Sequence, residues 1–118
     1  MESLEKSRFC ARLAHDKKAE NLVVLELKGV SALADYFIIC SGTSDRHVQA
    51  ISHHIEAGLK KEGELALGME GLREAKWVLL DYDDVIIHIF QKDERLFYDL
   101  ESLWSECPRL DVPAAQDQ

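Results

Sequence analysis

Trp77-Val-Leu-Leu-Asp-Tyr-Asp-Asp-Val-Ile-Ile-His-Ile-Phe90 decides the fold. Apolar residues, many of them β-branched, run on either side of Asp83-Asp84, and aspartate favours turns. The stretch therefore reads as a hairpin closed by a two-residue loop. Counting back from that loop sets the register. Tyr82 faces Val85, Leu80 faces Ile87 and Val78 faces Ile89, a nearly aliphatic face that belongs in the core. The other face sets Trp77 across from Phe90, Leu79 across from His88 and Asp81 across from Ile86. Two large aromatics mixed with His and Asp admit two readings: another element of the chain covers them, or they form a protein-binding patch. A slip of one residue would exchange the two faces.

Working outward, the strongest helix lies upstream. Thr43 or Ser44 can cap it, Asp45 sits in its positive first turn, and Lys60 and Lys61 sit in its negative last turn. Gly63 supplies a left-handed stop. Val48, Ile51, Ile55 and Leu59 fall on one stripe. Before it, Asn21–Lys28 holds a nearly continuous apolar run, Leu22–Leu25 followed by Leu27, and Asp35–Cys40 holds a second, which predict strands covered on both faces. Residues 1 to about 18 predict a weaker helix, with Phe9–Leu13 and Cys10–Ala14 at i,i+4 spacing. Between the strong helix and the hairpin, Leu65-Ala-Leu67 predicts a short strand. Asp93–Trp104 predicts a helical finish with Leu96 or Phe97, Leu100, Leu103 and Trp104 on one side. The expected fold is a single α/β domain with a mixed β-sheet flanked by helices. The domain spans residues 1–107, and residues 108–118 read as a flexible tail.

Composition narrows the function. The 118 residues carry 14 Lys+Arg against 22 Asp+Glu, a formal charge of −8. A chain that grips phosphates needs a basic footprint, so direct nucleic-acid binding is not expected. An acidic domain suits a basic protein partner, although the same charge also serves solubility. No apolar run approaches the roughly 20 residues of a membrane span, and the first residues show no secretory pattern. The three cysteines, Cys10, Cys40 and Cys107, are odd in number and far apart, which fits a reducing cytoplasm.

Chemistry has little foothold. His47 and His54 are seven residues apart, too far along a helix to share one zinc ion, and no Cys-x-x-Cys occurs. Ser41-Gly42-Thr43-Ser44 joins a strand to a helix, where α/β folds bind phosphates, but no Walker loop is present. A nucleotidyltransferase would need an Asp-x-Asp pair on the next strand to hold metal ions. The one such pair, Asp81 and Asp83, flanks the hairpin turn instead. No catalytic residues, metal or cofactor are expected.

Longer strings then identify a likeness. Asp35-Tyr-Phe-Ile-Ile-Cys-Ser-Gly-Thr-Ser-Asp-Arg-His-Val-Gln-Ala-Ile51, Glu70-Gly71, Trp77–Tyr82 with Asp84-Val85 and His88-Ile-Phe90, and Tyr98-Asp-Leu-Glu-Ser-Leu-Trp104 occur in order. Together they resemble the ribosomal silencing factor (Iojap) family from about residue 4 to residue 106. The resemblance implies a nucleotidyltransferase-like fold lacking the catalytic carboxylates, and a protein that is not an enzyme. It implies binding to the large ribosomal subunit through ribosomal protein fourteen at the intersubunit face, blocking the small subunit and silencing translation when nutrients are short. Assembly of the large subunit through the same contact is the alternative the family offers. The implied contact coincides with the mixed face of the hairpin: Trp77, Leu79, Asp81, His88 and Phe90, with Tyr82 nearby. Arg46, His47, Tyr98, Leu100 and Trp104 match further family motifs as secondary or structural residues. An exposed aromatic face could also pair two copies into a homodimer when the ribosome is absent. Asp83 stands where the family usually has glycine, so the turn is either slightly strained or opened into a longer loop, and the second would alter the register.

Overall fold

Register governs which side chains this sheet buries, and the register counted back from the Asp83–Asp84 turn is the one found in the structure, a computed structural model that describes residues 1–112. The chain runs α1 (Ser3–Asp16), β1 (Glu20–Glu26), β2 (Tyr36–Gly42) and α2 (Asp45–Lys61). It continues through β3 (Gly68–Glu70), β4 (Trp77–Asp81), β5 (Val85–Gln91), α3 (Lys92–Tyr98), α4 (Leu100–Leu103) and β6 (Arg109–Leu110). The strands form one sheet in the order β3-β4-β5-β2-β1-β6. Among the described residues only β2 and β5 pair in parallel, so the sheet is mixed and α2 lies on the crossover between them. No helix among the described residues is long and apolar enough to cross a membrane.

The two faces of the sheet are covered differently. On the front face, α1 and α2 bury Val24, Ile38, Cys40, Val78, Leu80, Tyr82, Val85, Ile87 and Ile89 against the α2 stripe Val48, Ile51, Ile55 and Leu59. Each of those four stripe residues is fully buried. Ser44 caps α2 by accepting from the His47 N–H at 3.1 Å, and Gly63 follows the helix at φ +82°. A charged pin closes one end of this face. Lys6 of α1 is nearly buried, and its Nζ donates to Asp84 at 2.7 Å and lies 2.9 Å from Glu64. Burial alone would lower the pKa of that ammonium, but hydrogen bonds to the two carboxylates outweigh it and hold the pKa above its ordinary value. The pin ties α1 to the hairpin turn and to the loop after α2.

The back face buries a smaller cluster, Leu25, Leu27, Ala34, Phe37, Ile39, Phe90 and Cys107. Here three expectations need correction. The short strand is Gly68–Glu70 rather than Leu65–Leu67, because β4 offers its partners from Asp81 inward, opposite Gly68. Leu65 and Leu67 are left exposed. The helical finish splits at Asp99, whose left-handed backbone (φ 46°, ψ 49°) turns the chain between α3 and α4. That turn puts Leu96, Phe97 and Leu103 on the outside, while Leu100 and Trp104 pack against the back cluster. Finally, the chain is still structured after residue 107, since Arg109 and Leu110 pair with Leu25 and Val24 of β1. The remainder of the expected tail, residues 113–118, lies outside the described residues.

Candidate functional site

The open part of the back face centres on Trp77. Its position depends on the turn before β4, where Gly71 sits at φ +84°. A Cβ at Gly71 would fall 2.1 Å from the Trp77 carbonyl oxygen, so only glycine allows the chain this close to the start of the strand. From there the Trp77 ring stacks on Phe90 across the hairpin, with centroids 4.9 Å apart and planes 29° apart. Tyr98, at the end of α3, lies 4.9 Å from the same indole, and Phe97 meets Tyr98 edge-on at 5.0 Å. The result is an aromatic strip that begins in the sheet and runs outward along α3. Exposure rises along it: Phe90 is fully buried, Trp77 is half-buried, Tyr98 is 51% exposed and Phe97 80% exposed. Leu96 and Leu103, 69% and 70% exposed, extend the apolar surface.

This strip stands because α3 and α4 are strapped to the sheet by few groups. Arg95 makes a two-pronged bond to Glu101 at 3.0 and 3.2 Å and donates to Ser41 Oγ at 2.8 Å. Trp104 meets Phe37 edge-on at 5.8 Å. Neither short helix contains a buried residue. Glu70 lines a shallow cleft with Gly71, Trp77 and Leu79, and Asp81 ends the strand that Trp77 begins.

The side chains expected to bind a partner divide into three groups. Trp77, Leu79 and Asp81 share the back face and reach solvent. His88 and Phe90 share that face but are buried, 4% and 0% exposed, so they support the surface rather than present it. Tyr82 faces the front core and is also 4% exposed, because its register position pairs it with Val85 on the aliphatic side. Burial raises the pKa of its hydroxyl.

The other matched residues are mostly structural. His47 Nδ1 accepts the Thr43 N–H at 2.8 Å, which leaves the proton on Nε2 to donate to the Lys17 carbonyl at 2.7 Å. This one ring ties the start of α2 to the end of α1. Arg46 is exposed on α2, the helix that covers the front face. Leu100 and Trp104 underlie the strip, and Tyr98 belongs to it. Sequence reading missed Leu96, Phe97 and Leu103 as surface residues, since periodicity alone placed them on a packed side. The Asp99 turn that exposes them has no strong signal in the chain.

Three of the groups that chemistry could use, Asp81, Cys10 and Cys40, are engaged or buried. Asp81 Oδ1 accepts the Asp83 N–H at 2.8 Å, an Asx-type turn contact. Burial pushes the Cys10 and Cys40 thiols up to about 12, so neither offers a thiolate near neutral pH. Among the described residues no three His, Cys, Asp or Glu side chains are grouped to hold a metal ion.

Comparison with known proteins agrees with the fold and extends it. A family model described as RsfS, ribosomal silencing factor during starvation, matches residues 1–118. The ribosomal silencing factor RsfS of Bacillus subtilis is 43% identical over 94% of this chain and 94% of its own. A crystal structure of a Chromobacterium violaceum protein superposes with a TM-score of 0.87 at 32% identity, covering 98% of both chains. A mouse protein named for mitochondrial assembly of the ribosomal large subunit is 30% identical over 79% of this chain, which spans 42% of that longer protein.

Proposed function

The chain belongs to the ribosomal silencing factor family, and on that premise we propose that it binds the large ribosomal subunit through ribosomal protein fourteen and blocks joining of the small subunit by occupying the face between them. The observation that supports this reading is the aromatic strip Trp77–Tyr98–Phe97, left open on a chain of net charge −8. Aromatic side chains dominate the centres of protein interfaces, and the net negative charge of the chain speeds encounter with a basic ribosomal protein. Occlusion needs no reaction, so the protein acts as a repressor of translation in the cytoplasm without being an enzyme and without a cofactor.

A second reading uses the same surface. The mouse relative is named for large-subunit assembly, so docking could serve maturation of the subunit as well as its silencing. In the absence of the ribosome, the same strip offers a contact between two copies of this chain.

Gradient sedimentation of purified subunits under joining conditions tests the first reading. Wild-type protein should migrate with the large subunit and suppress joined ribosomes. A folded Trp77→Ala variant should lose affinity on the order of 2 kcal/mol or more and restore joining. If wild type binds neither subunit, the reading fails.

A further inference from the structure

We infer that His88 is the positioning residue of the docking strip: buried and out of a partner's reach, it holds the Trp77 indole in the orientation that a partner meets. The inference rests on the docking reading above and adds to it a residue that acts through Trp77. The Trp77 Nε1–H donates to His88 Nδ1 at 3.1 Å, diagonally across the β4–β5 pair. A ring nitrogen that accepts carries no proton, so the His88 proton sits on Nε2. That Nε2 is buried and has no hydrogen-bond partner among the described residues. The ring is enclosed by aromatics, with Phe37 edge-on at 4.8 Å, Trp77 at 5.9 Å and Phe90 at 6.3 Å.

An apolar side chain would fill this place without burying an unpaired donor. What His88 supplies that a phenylalanine would not is the Nδ1 acceptor, and its one described partner is Trp77. Phe90 and Tyr98 restrain the indole by contact with its ring, but contact alone leaves the N–H free to turn towards water. With its N–H satisfied internally, Trp77 presents ring surface rather than a donor. A partner then meets a side chain whose ordering cost has been met before binding.

The test begins with wild-type chain labelled with nitrogen-15. Magnetic resonance should show a coupling between the Trp77 indole nitrogen and His88 Nδ1, with His88 in the Nε2–H form. Absence of that coupling together with an Nδ1–H form overturns the proposal, and this measurement needs no variant to fold. Next, His88→Phe should shift the Trp77 indole resonance, speed its exchange with solvent and weaken large-subunit binding about tenfold. His88→Asn, which places an amide oxygen close to where Nδ1 was, should restore most of the binding and of the resonance position. If His88→Phe binds as wild type does, His88 has no positioning role. If the coupling is present but Trp77→Ala binds the subunit normally, the docking reading itself fails, and the two failures are distinguished.

Discussion

The two faces of one sheet carry similar apolar rows and end differently. The front face is closed by α1 and α2, long enough to lay whole stripes against it: Ile51, Ile55 and Leu59 reach zero exposure. The back face is strapped by α3 and α4, of 7 and 4 residues, which bury no residue of their own. A helix that short cannot shield a sheet, so apolar surface remains at Trp77, Tyr98 and Phe97. The front face therefore carries most of the buried core, and the back face keeps apolar surface that the described residues leave uncovered.

The largest test of this division is Ile51→Ala. Loss of a fully buried side chain from the front core should cost about 4 kcal/mol in denaturant unfolding, while the folded fraction still binds the large subunit. Loss of binding at full stability would break the comparison.

Acid should probe the back face next. Burial lowers the His88 pKa from 6.5 to about 4. Below pH 6.5 the unfolded chain takes up a proton that the folded chain refuses, so stability should fall between about pH 6.5 and pH 4. The fall attributable to this group is about 3 kcal/mol, with no loss from it above that window. Unfolding free energies of wild type and His88→Phe, followed across that range, should differ in slope by one proton. Parallel slopes would mean that the back cluster admits water around His88.

Phe97→Ser sharpens the contrast from the other side. At 80% exposure Phe97 should matter to stability by less than about 0.5 kcal/mol, yet to subunit binding by about 1 kcal/mol or more. A large stability loss would show that the strap is a true part of the core.

The smallest expected effect is at the turn that joins β4 to β5. Asp83 holds φ +70°, a conformation glycine adopts freely, so Asp83→Gly should raise stability by about 0.5 kcal/mol in thermal unfolding and leave binding unchanged. The Asp81 carboxylate still accepts the N–H of residue 83 in the variant, and the gain stays small because glycine adds conformational freedom to the unfolded chain.

Much of this was legible in the chain. Period-two alternation on both sides of Asp83-Asp84 set every pair from Trp77–Phe90 to Asp81–Ile86, because a two-residue loop leaves one register that buries the aliphatic row. Capping chemistry and a four-residue stripe gave α2 for the same reason: both are local. The site was only partly legible. Its face was readable, but which of its members reach solvent was not. His88 and Phe90 lie under Trp77, Phe37 and the strap, and an alternating pattern states the face a residue takes without stating what covers it.

What the sequence by itself determined is therefore what neighbours along the chain set: the hairpin register, the strong helix and its caps, the fully buried strand β2, and the acidic balance, whereas β1 is buried only at Val24 and Leu25. The tertiary structure alone decided the left-handed break at Asp99, the pairing of Arg109–Leu110 with β1, and the exposure of Phe97 beside a buried His88. Those depend on contacts between segments far apart in sequence, such as Arg95 with Ser41 and Trp104 with Phe37, whose energies no local pattern encodes.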